Sequence, residues 1–415
     1  MTDTEDRPLN ICLLSYRSNP HCGGQGVYLK NLSRSLKDLG HGVTVISGPP
    51  DPLIEGDIPV LRLPCLDLYN PADLFRVPSL KELTDPIHLL EWLGVSTMGF
   101  PEPFTFGLRA YLYLRDRLDR FDVIHDNQSL SYGVWMLSRR VPTVATIHHP
   151  ITVDRDLAVK AAPRFWEKMK ELRWYSLIGM QKRVARRLPA ILTVSQVARN
   201  DIQREFGIPR ERFAVVPNGI DLSLFRPLAG IPREPGRLIV TNSADTPLKG
   251  LGFLLRALAV VSKTRRVRLM VIGALKAGGE VETLIRRLGI GDRIVFTGRV
   301  SDAELVRQYA RASMAVVPSV YEGFGLPAGE AMACGVPVLS TTGGALPEVV
   351  GNAGILVPPS APEALARAIV DLMDHPQHAC ELGQAGLRRV RQQFSWQTAA
   401  EKTAAAYRKA IRDHH

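Results

Sequence analysis

The sequence predicts an α/β protein built from two doubly wound, parallel-sheet domains. Short β-branched apolar runs alternate with longer amphipathic ones, the pattern of strands crossing over through helices. A turn-rich stretch over 216–236, beginning Val216-Pro217-Asn218-Gly219, interrupts that alternation, which then restarts. The length of 415 residues, 45% hydrophobic and 22% charged, suits roughly two to three ordinary domains and excludes a disordered chain.

In order, residues 9–15 predict a strand, 27–39 a helix closed by Gly40, and 43–47 a second strand, together one βαβ unit. Strands follow at 123–125, 144–148 and 191–195, with helical patterns around 107–119, 130–139 and 164–187. Beyond the break, strands are expected at 238–241, 269–272, 294–297, 315–318, 336–340 and 355–357, with helices between and only helix from 362 onward. The domains are accordingly drawn at 1–225 and 226–395, with a last helix, 396–415, expected to return to the first domain.

Five scattered cysteines, with no C-x-x-C spacing, support neither a disulfide framework nor a zinc site, and suit a reducing cytoplasm. No run of 18 apolar residues predicts a membrane span, and the polar start MTDTEDRPLN is unlike a secretory signal. A net charge of +11 favours anionic partners. Residues 160–187 concentrate it, with nine basic and two acidic side chains among Phe165, Trp166, Met169, Leu172 and Trp174. That segment reads either as a helix lying on an anionic membrane surface or as a core helix with a solvated basic face. No nucleic-acid-binding motif accompanies the charge, and no nucleic-acid partner is expected.

Ligands of open parallel sheets bind beyond the carboxyl ends of strands. After the first strand come His21, Cys22, Gly23, Gly24, Gln25 and Gly26, a loop that serves either as an anion cradle at a helix N-terminus or as a tight turn. His125 and His148 each end a strand, as catalytic groups or as hydrogen-bonded structural ones. Lys249 precedes a helical run. A cation there opposes the helix dipole by about 0.3–1 kcal/mol, so a compensating anion is expected, phosphate being the natural candidate, unless Lys249 is a solvated surface lysine. The most informative segment runs from Pro318 to Pro337. It contains Glu322, Gly323, Phe324, Gly325, Leu326, Pro327 and Glu330: a strand end, a glycine loop and a helix whose proline suits its first turn.

These residues resemble those of the retaining glycosyltransferases of family four. The resemblance rests on Gly23-Gly24, Val216 to Asp221, Lys249-Gly250, Phe296-Thr297-Gly298, and Glu322 and Glu330 in their glycine-rich setting. It implies the GT-B fold of two facing Rossmann-like domains and a nucleotide-diphosphate sugar as donor. It further implies that Glu322 contacts donor-sugar hydroxyls, Glu330 holds the ribose, and Lys249 neutralises the departing diphosphate. Gly23, Gly24, Ser243, Gly323, Phe324, Gly325 and Leu326 would complete the donor cradle, and His148 and His125 would stand near sugar and acceptor. The family's arginine before the lysine is replaced by the stretch Thr241 to Asp245, which leaves Arg299 as the nearest basic candidate. No metal or other cofactor is expected, and Asp154-Arg155-Asp156 reads as a loop. The acceptor is expected to be a lipid or lipid-linked saccharide, with the enzyme peripheral at the membrane. A soluble acceptor, a phosphorylase or synthase reaction, and a nucleotide-sugar epimerase are the rivals.

Overall fold

The computed structural model of the chain describes residues 7–20, 23–54, 56–70, 73, 76–241 and 247–414. They form two units. The first takes in the chain through Val194, then Ala198–Pro217 and Trp396 onward, and the second takes in Ser195–Val197 and Asn218–Ser395.

The first unit holds β1 (Asn10–Ser15), β2 (Gly42–Ser47), β3 (Val60–Arg62), β4 (Val123–Asn127), β5 (Thr143–Ile147), β6 (Ala190–Thr193) and β7 (Phe213–Val215). They lie in the order β3-β2-β1-β4-β5-β6-β7, every neighbouring pair parallel. Successive side chains of β1 leave opposite faces. Cys12 and Leu14 join a core with the helices Glu102–Leu114 and Ile178–Ala185. Ile11 and Leu13 join another with Tyr28, Leu32 and Leu36 of the helix Gly24–Asp38 and with Ala400 and Tyr407 of the helix Trp396–Arg412. Both faces are covered, which is why the strands read as continuous apolar runs.

The second unit holds β8 (Glu234–Thr241), β9 (Arg268–Ile272), β10 (Ile294–Phe296), β11 (Ala312–Val317), β12 (Val338–Thr341) and β13 (Ile355–Val357), in the parallel order β10-β9-β8-β11-β12-β13. In each sheet the strand order reverses beside the first strand, β1 against β4 and β8 against β11, the crevice where such sheets bind ligands.

The structure moves several sequence boundaries. The division expected at 225/226 falls at 217/218, because the following segment is bonded to the second unit, where Ile220 N donates to Phe394 O (2.9 Å). The helical pattern at 164–187 resolves into Phe165–Trp174 and Ile178–Ala185, with the break where the Trp174 ring stacks on Phe100. Asp154, Arg155 and Asp156 lie within the helix Ile151–Ala161 rather than in a loop. Two three-residue edge strands, β3 and β7, were too short to register as periodic patterns.

Candidate active site

In the second unit, β8 and β11 lie side by side and each delivers a loop at its carboxyl end. The turn Pro247–Lys249 precedes the helix Leu251–Val261, and Gly250 between them has φ 69°. A Cβ at Gly250 would stand 2.0 Å from Pro318 O, so only glycine allows the two loops to meet. Val320 N donates to Leu248 O (2.8 Å) and fastens them.

This junction brings Lys249 and Glu322 together. Lys249 Nζ donates to Glu322 Oε1 at 2.7 Å, and Ser319 Oγ donates to the same oxygen at 2.8 Å. The glutamate side chain is 11% exposed and the lysine 34%, so the pair stands at the surface with its carboxylate end sheltered. The structure gives the lysine an anionic partner within its own unit, Glu322. Behind Glu322, its carbonyl accepts Ala345 N at 2.8 Å. A Cβ on Gly344 (φ 61°) would come within 2.2 Å of that carbonyl oxygen. Sequence reading passed over Gly343-Gly344, although a glycine pair directly after a strand was the available signal.

Gly325 precedes the helix Leu326–Ala333, with Pro327 in its first turn. The amides of Gly325 and Leu326 have no intrahelical acceptor and stand at the positive helix end. Ser195 Oγ donates to Gly323 O (2.8 Å) and steadies the loop. The Phe324 side chain is a correction to the expected cradle: its ring is buried edge-on to Phe394, 5.5 Å between centroids, so it anchors the loop instead of facing a ligand. Glu330, one turn into the helix, has its pKa pushed up to about 7 by burial; Asp302 adds to the rise and the hydrogen bond with Tyr309 opposes it. Arg299 is exposed beyond the edge strand β10, two places from β8, and no hydrogen bond or ion pair joins it to Lys249 or Glu322 among the described residues. Ser243, with the rest of 242–246, lies outside the described residues.

In the first unit, Gly23 precedes the helix Gly24–Asp38 directly after the loop that leaves β1. His125 corrects its expected place. β4 continues two residues past it, and the imidazole is 1% exposed. Its Nδ1 bonds Tyr407 Oη at 2.5 Å and its Nε2 bonds Thr146 Oγ1 at 2.7 Å, with Tyr28 Oη 3.0 Å beyond that hydroxyl. Both nitrogens are engaged in the core and burial lowers the pKa to about 3, so His125 is a neutral structural group that cannot touch a substrate.

His148, just past β5, is only partly buried, and the edge of Tyr28 meets its ring at 4.8 Å. Asn127, which the sequence reading missed, fixes its proton. The Asn127 Nδ2 donates to Gln25 O and to Ser15 Oγ, each at 3.2 Å. A backbone carbonyl only accepts, so the amide can face one way, and its Oδ1 receives His148 Nε2–H at 2.8 Å. The neutral ring then carries its lone pair on Nδ1. Burial, with His149 and His125 nearby, lowers the His148 pKa to about 3. Next to it His149 Nε2 lies 2.6 Å from Asp154 Oδ2, while Asp156 pairs with Arg155, so each acid of that motif already has a nitrogen partner.

Residues 22–224 match the model of Glycosyltransferase Family 4, and residues 235–375 that of Glycosyl transferases group 1. The chain is 47% identical over 410 residues to the MMP alpha-(1->4)-mannosyltransferase of Mycolicibacterium hassiacum, covering 97% of this chain and 98% of that one. Among solved structures it resembles sucrose-phosphate synthase from Thermosynechococcus elongatus, with TM-score 0.75, 25% identity and coverage of 98% and 100%. It also resembles Anabaena Alr3699/HepE in complex with UDP and glucose, with TM-score 0.68, 21% identity and coverage of 96% and 98%.

Proposed function

Because the chain belongs to glycosyltransferase family four, and is a glycosyltransferase of GT-B fold, we propose that it moves a mannosyl group from a nucleotide-diphosphate mannose to a saccharide hydroxyl, retaining anomeric configuration. The observation that carries this reading is the Lys249–Glu322 pair at the mouth of a glycine loop and helix N-terminus. The mannosyl group and the α-linkage are taken from the 47% identical relative, and the nucleotide diphosphate from the structural neighbour's UDP.

In this reading the donor diphosphate lies against the amides of Gly325 and Leu326, and Lys249 turns one of its three N–H bonds to the leaving oxygens. Charge that builds there as the glycosidic bond breaks is met by a preorganised cation and helix end, with no metal assigned a part. Among the described residues, both hydrogen bonds to the Glu322 carboxylate fall on Oε1, and in this reading Oε2 accepts from a sugar hydroxyl. Glu330 as carboxylate receives the ribose hydroxyls. His148, neutral with its lone pair on Nδ1, accepts from a sugar hydroxyl and draws no proton into solution. The departing phosphate oxygen takes the acceptor's proton on the face it leaves, so no side-chain nucleophile is used. Thermal-shift screening with GDP, UDP and ADP, then NMR of the product linkage, tests this: stabilisation by one nucleotide and an α-linked product are expected, while a β-linked product would overturn retention.

One observation favours a membrane as the place where the acceptor is met. The helix Phe165–Trp174 exposes Phe165 (78%), Trp166 (60%), Met169 (49%) and Leu172 (45%). Lys168 and Lys170 stand exposed beside this apolar row. No helix among the described residues is long and apolar enough to cross a membrane, so this reading is one of surface attachment. Sedimentation with anionic phosphatidylglycerol vesicles, lost in Trp166→Ser, is expected; equal recovery without vesicles would remove it.

A further inference from the structure

The opposite end of the first unit's sheet carries a cavity of about 420 Å³, a volume typical of small-ligand clefts. It lies at the amino ends of β1, β2 and β3, where Asn10, Gly42 and Pro59 line it. Gly23, Gly24 and His148 follow the carboxyl ends of β1 and β5, and a six-residue strand such as β1 spans about 17–20 Å. A molecule held in this cavity is therefore out of reach of the Gly23 loop and of His148. Ile46 and Leu61 from the sheet, with Phe121 ahead of β4, give it an apolar floor.

The rim is cationic. Lys37, Arg117 and Arg120 stand against one carboxylate, Asp57, which leaves the lining with a net charge of +2. Asp57 is a weak partner, because its side chain is fully exposed and lies 3.6 Å from Lys37 Nζ, and an exposed pair of that kind contributes about 0–1 kcal/mol. Arg117 donates through Nη1 to Tyr113 O, with its guanidinium 4.4 Å over the Tyr113 ring. Lys37 and Arg117 thus complement the carboxyl ends of the helices Gly24–Asp38 and Glu102–Leu114. Arg120 has no such duty. It is exposed, and its guanidinium makes no hydrogen bond or ion pair among the described residues.

His41, also in the lining, is 7% exposed. Its Nδ1 accepts Leu9 N at 3.1 Å, and since a backbone amide only donates, the neutral ring carries its proton on Nε2. Burial, and after it the nearby Arg408, lower the pKa and keep the ring neutral. That Nε2–H has no acceptor among the described residues, although polar groups so deeply placed are ordinarily satisfied. We propose that the cavity is a second ligand site, taking a phosphate monoester of a compact, partly apolar body, whose oxygens meet Arg120, Arg117, Lys37 and His41 Nε2–H. A phosphate monoester brings about −1.5 to −2 charges and three acceptor oxygens, against one charge and two oxygens for a carboxylate. The match is to the larger charge and the larger number of acceptors. This site stands apart from the transferase reading and does not depend on it.

The test measures by calorimetry the binding of phenyl phosphate to the full chain, against phenyl sulfate, which keeps the ring and three free oxygens but carries a single charge. Phenyl phosphate is expected to bind tighter by about fivefold or more. Arg120→Ser, at an exposed position, should weaken it about tenfold, as for a lost hydrogen bond between charged groups. Lys249→Ala, which removes the cation of the second unit's site, should leave the affinity within about twofold. NMR of the histidine-labelled chain should show the His41 Nε2–H resonance moving as phenyl phosphate is added. No binding, equal affinities for the two probes, an unchanged affinity in Arg120→Ser, or an unmoved His41 resonance overturns the proposal. So does a loss of binding in Lys249→Ala, which would put the phosphate in the cradle of the second unit and leave the transferase reading intact.

Discussion

The two units share one plan, a parallel strand followed by a glycine loop and a helix N-terminus, yet they fill it with opposite chemistry. Beyond β8 and β11 the second unit sets a lysine and a glutamate 2.7 Å apart with their ends in reach of solvent. The first unit instead holds two histidines, His125 inside β4 and His148 just past β5, whose pKa values fall to about 3. In the function proposed above, charge is kept where a diphosphate would be received, and withheld where His148 would order hydroxyls. A fixed cation does its work through an electrostatic field, whereas a neutral imidazole held by an amide does its work through direction.

The contrast breaks most easily at Lys249. Lys249→Ala is expected to cut transfer about 10²–10³-fold, the size of loss seen when a preorganised charge-stabilising donor is removed; a product assay at wild-type rate would deny the second unit its charged role. Glu322→Gln should cost about tenfold to a hundredfold, since a neutral amide accepts less strongly and no longer orients Lys249. Steady-state kinetics with fixed donor reads it, and a change confined to acceptor KM would count against the assignment.

Glu330 adds a pH dependence. As carboxylate it binds the ribose in the reading above, so nucleotide affinity should weaken about tenfold per pH unit below about 7, measured by calorimetry, and Glu330→Gln should flatten the profile. Stability runs the other way. An acid whose folded-state pKa is raised holds its proton more tightly folded than unfolded, so its contribution is complete at low pH and is lost as pH rises through about 7. The melting temperature of Glu330→Gln should therefore exceed that of the wild type at pH 8 and approach it at pH 5.

The smallest expected effect sharpens the other side of the comparison. Tyr407→Phe removes the hydroxyl that meets His125 Nδ1 in the core, at a cost of about 1–3 kcal/mol for a buried nitrogen left without a partner. Calorimetry should show the melting temperature falling by about 2–4 °C per kcal/mol, while the transfer rate of the folded variant stays within about twofold. A large loss of rate at unchanged stability would return His125 to the chemistry.

The second unit's site was the more legible. Glu322, Lys249, the Gly323–Leu326 loop and Pro327 all lie in the segments that directly follow β8 and β11, within about ten residues of the strand ends, so part of their meaning is local: a proline fits a first helical turn, and glycines let a backbone approach. What escaped was the contact between loops. Nothing near Glu322 in sequence announces Gly344, where a Cβ would come within 2.2 Å of the Glu322 carbonyl oxygen. In the first unit His125 was noticed and its role misplaced. His125 and His148 are alike as letters, and their places relative to the strand ends, two residues inside β4 and one residue past β5, decide that one is sealed against Tyr407 and the other left at the edge. Asn127 carried no signal at all, because its partners Ser15, Gln25 and His148 come from three separate stretches.

By itself the sequence determined the alternation of strand and helix and the glycine loops, since each follows from short-range periodicity or from the steric needs of a single turn; the reaction class came from the resemblance that Glu322, Glu330 and Lys249 carry to family four. Only the tertiary structure decided which charges would be neutralised. Arg17 reads as one more basic residue until Glu102, 85 positions away, accepts from its Nε and Nη2. Lys249 likewise reads as a solvated lysine until Glu322 is brought to it across 73 positions. Electrostatic pairing depends on distance in space, and the crossovers of a parallel sheet set that distance.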